Sequence, residues 1–358
     1  MRYKQMGKQS IRFENPPVIS GAASVAGKKE GEGPYGKYFD IIEEDPLAGG
    51  KTWEEAEGRL QEKAAKLAIT HSGYKQKDIR YIVAGDLLGQ LMASSFGLMT
   101  LDIPLFGVYG ACSTMGESLG IAAMLVEGGF ADHVLALTSS HFASAEKQFR
   151  FPLGYGNQRP KAATWTATGS GAVVVSASVK AAELAEDQMK QKLSKEAVAE
   201  RGKVKIKGIT TGKITDFGIK DSMNMGACMA PAAGKVIVQN LKDFGFSPEH
   251  YDKIITGDLG KVGKDIVIDY VRAEGYDISR QYMDCGIELY GEEQNVQAGG
   301  SGCGCSAIML TGYILKMLLK KEWRRVLFVP TGALLSQVSF NEGNSVPGIA
   351  HGVMLEKL

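Results

Sequence analysis

Short apolar runs recur along the chain and alternate with segments whose apolar residues are spaced three or four apart. The runs are typical of buried strands and lie at 17–26, 79–84, 104–109, 134–138, 171–177, 203–209, 253–256 and 326–329. The helical spacing covers 52–72, 113–127, 227–244, 264–274 and 306–321. Thr52 is a candidate N-cap because acidic residues follow it in the first turn. The alternation predicts an α/β fold with helices layered on mostly parallel sheets.

The two halves of the chain repeat one layout. IVAGDL at 82–87 matches IITGDL at 254–259, and the segment 300–332 follows the pattern of 108–140. The spacing between these motifs differs, which places an insertion near 275–295 in the second half. We therefore expect a duplicated fold with halves at 1–180 and 203–358, joined by a polar, helix-prone connector at 181–202.

A segment rich in glycine and charge, 28–51, predicts a long loop between the first strand and the first helix. Such a loop is often functional or interfacial. Together with the insertion near 275–295, it could cover or open a binding pocket.

Composition narrows the function. Lysine and arginine number 41 against 40 acidic residues, so no global charge favours nucleic acid or a polybasic membrane anchor. The first residues lack an apolar signal core and no run reaches the length of a membrane span, so the sequence predicts a soluble chain made in the cytosol. The cysteines are odd in number and lack the paired spacing of a zinc site, so we expect no metal and no cofactor.

Cys112 is the candidate for chemistry. It lies in YGACSTMGESL, between a short strand and a helix that begins near Ser113. A thiol at a helix N-terminus has a lowered pKa, which makes a thiolate available as a nucleophile. Gly110 and Ala111 are small and permit a tight turn and close approach of a ligand. The alternative is that Cys112 is a buried, inert packing residue.

The GACST turn, the duplicated α/β halves and the glycine-rich turn in LFVPTGALLS at 327–336 resemble the thiolase superfamily, especially its ketoacyl-synthase III-like branch. The resemblance implies a five-layered αβαβα fold and a homodimer. It also implies that Cys112 corresponds to the acylated cysteine. The N–H of Cys112 and one from the turn at Thr331, Gly332 and Ala333 would form the oxyanion hole.

The histidines that condensing enzymes of this superfamily use are missing. Their places read GDLGKVGK at 257–264 and AGGSGCGCS at 298–306, with Asp258 near the first one. An aspartate cannot replace a neutral imidazole as an N–H donor and proton relay. His141 and His351 could still reach a pocket, whereas His71, His133 and His250 are expected to be structural or solvated. The pattern favours a protein that binds a ligand over one that condenses it.

The segment SSHFASAEKQFRFPLGYGNQRPKAATWTATGSGAVVVS at 139–176, with YGACSTMGESL and PGIAHGV, closely resembles the stage V sporulation AD family of endospore-forming bacteria. The resemblance implies binding of dipicolinic acid, alone or as its calcium chelate, and a part in moving it into the developing spore. It implies membrane proteins of the same sporulation operon as partners, and a peripheral position at the forespore membrane.

A flat pyridine with two carboxylates needs cationic or N–H groups around an apolar slot. Candidate lining groups are Cys112, Ser113, His141, Asp258, Gly332 and His351. Candidate cations are Arg150, Arg159, Lys161 and Lys261, although such side chains are more often solvated surface charges. The alternatives are an acyltransferase or condensing enzyme that uses Cys112 on a coenzyme A or carrier-protein thioester, and a scaffold for membrane partners with a vestigial pocket.

Overall fold

The computed structural model describes residues 4–149, 159–178 and 204–357. The strands of the first half are β1 Gln5–Met6, β2 Ser10–Arg12, β3 Val18–Gly27, β4 Ile41–Glu43, β5 Tyr81–Gly85, β6 Leu105–Gly107, β7 His133–Ser140, β8 Trp165–Thr166 and β9 Gly169–Ser176. Its helices are α1 Lys28–Gly31, α2 Trp53–Ser72, α3 Met92–Leu98, α4 Thr114–Glu127 and α5 Phe142–Phe149.

The second half follows the same plan. Its strands are β10 Val204–Thr211, β11 Lys253–Thr256, β12 Tyr282–Asp284, β13 Gly300–Ser301, β14 Arg325–Val329, β15 Thr331–Ala333 and β16 Gly348–Lys357. Its helices are α6 Met225–Phe244, α7 Gly260–Ala273, α8 Cys285–Leu289, α9 Cys303–Met309, α10 Leu315–Leu319 and α11 Gln337–Asn341, with a π-helical segment, Leu310–Ile314, between α9 and α10.

Strand order shows the duplication. The first sheet runs β3, β9, β7, β5, β6, and the second runs β10, β16, β14, β11, β12. In the first sheet, β9 is antiparallel to both β3 and β7, whereas β7, β5 and β6 are parallel. In the second sheet, β16 is antiparallel to both β10 and β14, whereas β14, β11 and β12 are parallel. The sheets meet where β10 pairs with β3, Val204 opposite Ile19.

Five layers result. Helix α2 covers the outer face of the first sheet, α6 and α7 cover the second, and α4 and α9 lie between the sheets. Helix α4 is apolar on more than one side, with Met115, Leu119 and Ala122 fully buried, as its central position requires. The predicted α/β fold with thiolase-like layers is confirmed, but the expectation of mostly parallel sheets is wrong, because β9 and β16 pair antiparallel with both of their neighbours.

Local sequence signals match most of these boundaries. Thr52 caps α2, and its side chain accepts a hydrogen bond from the N–H of Glu55 at 3.1 Å. Strand β16 was not predicted, although it is central to the second sheet. The 28–51 segment is not entirely loop, because it contains α1, β4 and a turn of 3-10 helix at Gly36–Tyr38. The expected connector at 181–202 lies outside the described residues.

Candidate functional site

Cys112 lies in a tight turn between β6 and α4. The turn, Ala111–Ser113, is a single turn of 3-10 helix, and Ala111 has a positive φ of 49°. Two hydroxyls close it: Ser113 donates to the Gly110 carbonyl at 2.7 Å, and Thr114 donates to the Ala111 carbonyl at 2.6 Å. These bonds fix the direction of the Cys112 side chain, which is only 5% exposed.

Strand β15 of the second half packs directly on this turn. A Cβ atom at Gly332 would lie 2.2 Å from the Gly110 carbonyl oxygen and 3.2 Å from the backbone nitrogen of Cys112. Only glycine permits this approach, which brings the backbone of β15 beside the N–H groups of the Cys112 turn. Gly332 therefore lies directly beside the backbone of the Cys112 turn.

Asp258 lies fully buried opposite the thiol. One carboxylate oxygen accepts hydrogen bonds from the Ser301 hydroxyl at 3.0 Å and the Gly302 N–H at 2.9 Å. The other accepts from the Thr331 hydroxyl at 2.7 Å, and the Cys112 sulfur lies 4.0 Å from the Ser301 hydroxyl oxygen that donates to this carboxylate. Burial raises the pKa of Asp258 to about 6, although the hydrogen bonds from Thr331, Cys112 and Gly302 oppose the rise.

The expectation of a lowered thiol pKa is wrong. Burial raises the pKa of Cys112 well above its ordinary value, and the negative charge of Asp258 raises it further. A hydrogen bond from the Gly302 backbone works in the opposite direction but does not dominate. The positive end of one helix cannot offset complete desolvation beside a carboxylate, so Cys112 remains a neutral thiol.

A small cavity opens on the thiol. Its volume is about 30 Å³, and one water molecule needs about 10–15 Å³ by this measure. Mostly apolar side chains surround it, and Ser301 and Thr166 add hydroxyls; the lining residues are Leu87, Tyr109, Ala111, Cys112, Ala145, Phe149, Thr166, Met225, Ser301, Ala333 and Leu335. A second thiol, Cys303, lies beside it and donates to the Ala111 carbonyl at 3.3 Å. A ligand larger than water would have to displace some of these side chains.

Arg159 is held within the protein. Its side chain is 5% exposed and forms a salt bridge of 2.9 Å with buried Glu146. It also donates to the Thr164 carbonyl at 2.5 Å, and its guanidinium lies 4.8 Å from the centre of the Trp165 ring. Arg159 therefore links the segment that precedes β8 to helix α5. It does not lie at the Cys112 cavity, where it could bind a carboxylate.

His141 belongs to a different cavity. Its Nδ1 accepts from the Ala143 N–H at 3.1 Å, so the proton is on Nε2, which donates to the Pro46 carbonyl at 2.8 Å. Burial lowers the pKa of His141. The ring stacks on Trp53, with 5.6 Å between centroids, and both bonds fix it as a neutral imidazole.

The remaining candidates are dispersed. Lys161 and Lys261 are exposed, and Arg150 lies outside the described residues. Ser113 uses its hydroxyl to close the turn. His351 lines a separate cavity of about 130 Å³ with Glu117, where burial lowers its pKa to about 4. The structure therefore brings Cys112 together with Asp258 and Gly332, and leaves the candidate histidines elsewhere.

Sequence reasoning missed three members of this site: Ser301, Cys303 and, as a partner of Asp258, Thr331. The signal is present in the sequence, because Ser301 and Cys303 lie in the AGGSGCGCS segment, where condensing enzymes of the superfamily carry a histidine. This segment contains no histidine but supplies other polar groups to the site. Hydroxyl and thiol groups there bind Asp258 and pack against Cys112 instead.

In the part of the chain that the structure describes, no group of three His, Cys, Asp or Glu side chains is arranged to hold a metal ion. Nor does any of its helices combine the length and apolar character needed to cross a bilayer.

Solved structures share this architecture at low sequence identity. The 3-oxoacyl-[acyl-carrier-protein] synthase III of Aquifex aeolicus VF5 has a TM-score of 0.55 and 15% identity, covering 95% of this chain and 99% of its own. Human mitochondrial 3-ketoacyl-CoA thiolase gives 0.55 and 13%, covering 96% and 99%. Xanthomonas campestris OleA gives 0.57 and 14%, covering 96% and 97%. The fold is that of the thiolase-like proteins.

Sequence similarity identifies the family to which the chain belongs among proteins with this fold. The family model of stage V sporulation protein AD matches residues 7–356. The stage V sporulation protein AD of Bacillus subtilis (strain 168) is 41% identical over 354 residues, which cover 99% of this chain and 98% of that protein. The chain belongs to the stage V sporulation protein AD family.

Proposed function

We propose that this chain binds dipicolinic acid, alone or as its calcium chelate, and takes part in its uptake into the developing spore. Membership of a sporulation family on a thiolase-like scaffold supports this proposal. The observation that carries it is the pairing of Cys112 with Asp258, because that pairing removes the chemistry of a condensing enzyme and leaves a neutral thiol that lines a small, mostly apolar cavity.

Condensation on a cysteine needs a thiolate and a neutral N–H donor nearby. Here the thiol pKa lies well above its ordinary value, whereas that of Asp258 is about 6. Moving the proton from sulfur to this carboxylate is therefore unfavourable, because the pKa of the thiol lies well above that of the carboxyl group. The pair favours a stable, neutral thiol that lines a site and does not attack.

The same pair sets conditions on the ligand. The first turn of α4 and the close backbone of β15 present N–H groups suited to a carboxylate. Asp258 would repel a dicarboxylate while it is ionised. Two changes remove the repulsion: protonation of Asp258, or a calcium ion carried by the ligand, since carboxylate oxygens are calcium ligands.

Isothermal calorimetry tests the proposal. Purified protein is titrated with dipicolinate, with dipicolinate plus calcium, and with acetyl-coenzyme A. We expect heat from one or both dipicolinate titrations. Above about pH 6, Asp258→Asn should strengthen binding of calcium-free dipicolinate, because it removes the repelling charge, and should weaken binding of the calcium chelate, because it removes a carboxylate ligand for calcium. Asp102→Asn, which changes an exposed carboxylate away from the site, should leave both titrations unchanged. Absence of heat with dipicolinate, with and without calcium, would refute the proposal.

The acyltransferase alternative makes an opposite prediction. Incubation with acetyl-coenzyme A would leave an acetyl group on the protein, visible by intact mass and absent in Cys112→Ser. We expect no such adduct. If it forms, Cys112 is a working nucleophile and the binding interpretation of the site is wrong.

We also propose that the chain forms a homodimer through β6. This strand is the edge of the first sheet, and Leu105 and Phe106 on it are 41% and 48% exposed. Phe96 on α3 and Met99 just after it are 69% and 68% exposed. An unpaired apolar edge of this kind is stabilised when a second copy continues the sheet.

Association with membrane proteins of the same sporulation operon, at the forespore membrane, is a further proposal that rests on the family resemblance. Co-purification from sporulating cells tests it. Partners that are retained by the Cys112→Ser and Asp258→Asn variants would show that docking and ligand binding use different surfaces. Loss of every partner from a folded, ligand-binding wild-type protein would refute the association.

A further inference from the structure

A second cavity, lined by aromatic rings, lies between the segment that follows β3 and helix α5. Its volume is about 380 Å³, which is within the range of small-molecule sites, about 300–1,000 Å³. Among the described residues, it shares no lining residue with the cavity at Cys112. We call it the aromatic cleft and define it by Glu30, Trp53, His141, Phe142 and Trp165.

A buried glutamate forms part of the wall of the cleft. Glu30 is 1% exposed, and its Oε1 accepts hydrogen bonds from the Thr168 N–H at 3.1 Å and from the Tyr290 hydroxyl. In the part of the chain that the structure describes, no other residue donates a hydrogen bond to its second oxygen, Oε2. A buried carboxylate oxygen without a donor is costly, so Oε2 favours a ligand that brings an N–H group into the cleft.

The charge of Glu30 is only partly compensated by its neighbours. Burial raises its pKa, and the hydrogen bonds from Tyr290 and Thr168 and the charge of Lys29 oppose the rise without cancelling it. The Lys29 ammonium donates instead to the Gln294 carbonyl, at 2.8 Å. A further cation beside Glu30 would therefore stabilise its ionised form.

The aromatic walls of the cleft already accept cations. The Lys29 ammonium lies 4.7 Å and the Arg159 guanidinium 4.8 Å from the centre of the Trp165 ring. Trp53 is half-buried, and the neutral His141 ring stacks on it at 5.6 Å. No cation of the described residues lies over Trp53. Its ring can therefore take the alkyl chain and the positive charge of a ligand.

Carboxylates outnumber lysines at the rim of the cleft. The acids there are Glu32, Glu43, Glu44 and Asp45, and the lysines are Lys28 and Lys29. Glu43 forms a salt bridge with Lys63, whereas Glu44 lies 3.4 Å from Lys28 with both side chains mostly exposed. An exposed pair of this kind contributes little and is easily exchanged. The rim therefore attracts a second positive charge.

We propose that the aromatic cleft binds an aliphatic diammonium ion, the class of ligand to which the polyamines belong. One ammonium group donates to Oε2 of Glu30, and the alkyl chain lies against Trp53. The second ammonium group lies among the rim carboxylates. Such a ligand has the opposite charge to a dicarboxylate, so the inference does not rest on the proposed function.

Other classes of ligand match the cleft less well. An anion would meet the surplus of carboxylates at the rim. A quaternary ammonium ion could stack on Trp53 but has no N–H group for Glu30. A bare divalent metal ion would find too few ligands, because the described residues contain no group of three suitable side chains arranged to hold one. A primary ammonium group satisfies both the buried oxygen and the ring.

Isothermal calorimetry of the full chain with the five-carbon diamine cadaverine, and with the longer polyamine spermidine, tests the inference. Pentanediol is the uncharged analogue of cadaverine, and pentylamine carries one ammonium group only. Tetramethylammonium chloride and calcium chloride test whether any cation suffices. These titrations use the wild-type protein and identify which chemical groups of the ligand are needed.

Three variants, each with a control, identify the groups of the protein. Glu30→Gln keeps an acceptor for Tyr290 and Thr168 but replaces Oε2 by an NH2 group, and its control is Glu117→Gln, whose buried carboxylate lines a separate cavity. Trp53→Ala removes the open ring, and its control is Trp323→Ala, since Trp323 packs against Tyr313 outside the cleft. The double variant Glu32→Gln, Glu44→Gln removes two exposed rim charges, with the exposed pair Glu322→Gln, Glu342→Gln as its control. Thermal unfolding checks that every variant is folded.

We expect cadaverine and spermidine to bind the wild-type protein, and pentanediol, tetramethylammonium and calcium to give no saturable heat. Glu30→Gln should weaken cadaverine binding by about tenfold or more, because a buried carboxylate–ammonium pair is lost. Trp53→Ala should weaken it by about threefold to tenfold through loss of the ring contact. The rim double variant should weaken it by about threefold, and only at low salt, because exposed charges are screened. All three controls should titrate like wild type.

Other results would overturn the inference in distinguishable ways. Pentylamine that binds as tightly as cadaverine would show that the rim makes no second contact. Equal heat from calcium or tetramethylammonium would reduce the cleft to a region of general cation attraction. A folded Glu30→Gln variant with wild-type affinity would remove the buried carboxylate from the site. If neither cadaverine nor spermidine binds, the inference fails, whereas the dipicolinate titrations, and with them the proposed function, stand or fall separately.

Discussion

Asp258 makes the stability of the unliganded protein depend on pH in a direction opposite to that of most carboxylates. Its pKa of about 6 in the folded chain lies above the value of about 4 for an unfolded aspartate. The native state therefore holds a proton that the unfolded chain has released between these two values. Stability from this group is present at low pH and is lost as the pH rises through about 6.

The magnitude follows from the shift. About two pKa units at 1.4 kcal/mol each give roughly 3 kcal/mol of stability lost between about pH 4 and pH 6.5, with no further change above that. Because Asp258 is fully buried, solvent does not screen this effect. Asn in its place cannot ionise and has no such dependence, although its amide loses one of the hydrogen bonds from Ser301, Gly302 or Thr331.

Denaturant unfolding of wild type and Asp258→Asn across about pH 4 to 8 measures the effect. The difference between the two free energies of unfolding isolates Asp258, because other shifted groups such as Glu57, with a pKa of about 8, and His351 occur in both proteins. The exposed Asp102→Asn variant should show a flat difference. A flat difference for Asp258→Asn, or one that rises with pH, would refute the electrostatic account of the site.

Three further results are expected. Gly332→Ala should destabilise the protein by about 2 kcal/mol or more in thermal unfolding, since its Cβ would overlap the Gly110 carbonyl. The control Gly120→Ala, whose Cβ would have its nearest contact at 3.6 Å, should be neutral or stabilising, and equal effects of the two variants would contradict the close approach of β15. Cys112 should react with iodoacetamide near pH 8 far more slowly than a cysteine in a short peptide, and rapid alkylation would show an accessible thiolate. Phe106→Asp should convert a dimer to a monomer in sedimentation, whereas Phe130→Asp, at a more exposed site away from β6, should not. A dimer that survives Phe106→Asp excludes β6 as its interface.

The fold could be predicted where local pattern and tertiary role agree. Strand β11 and helix α2 have clear periodicity and caps, and the structure reproduces them within a residue. Strand β16 could not be found in this way. Its residues 348–357 include two glycines, a histidine and two charges, and pairing with β10, β14 and β15 makes it a strand.

The candidate site was predictable only in part, because the spacing of residues along the sequence does not show which distant residues come into contact. Cys112 was identified from its turn, but its thiol pKa depends on Asp258, which belongs to the other half of the chain. Arg159 had the right charge for a carboxylate ligand, yet its partner is the buried Glu146. Residue type gave the possible interactions, and packing decided which of them form.

The Cys112 turn belongs to the first half of the chain, while Asp258, Ser301 and Gly332 belong to the second. Neither repeat alone therefore forms the Cys112 cavity. This cavity exists only where the two repeats pack against each other. A ligand that contacts both sides would tighten that docking, since binding to the assembled state stabilises it. The fraction of protein with bound ligand and the stability of the packing between the two repeats are therefore thermodynamically linked.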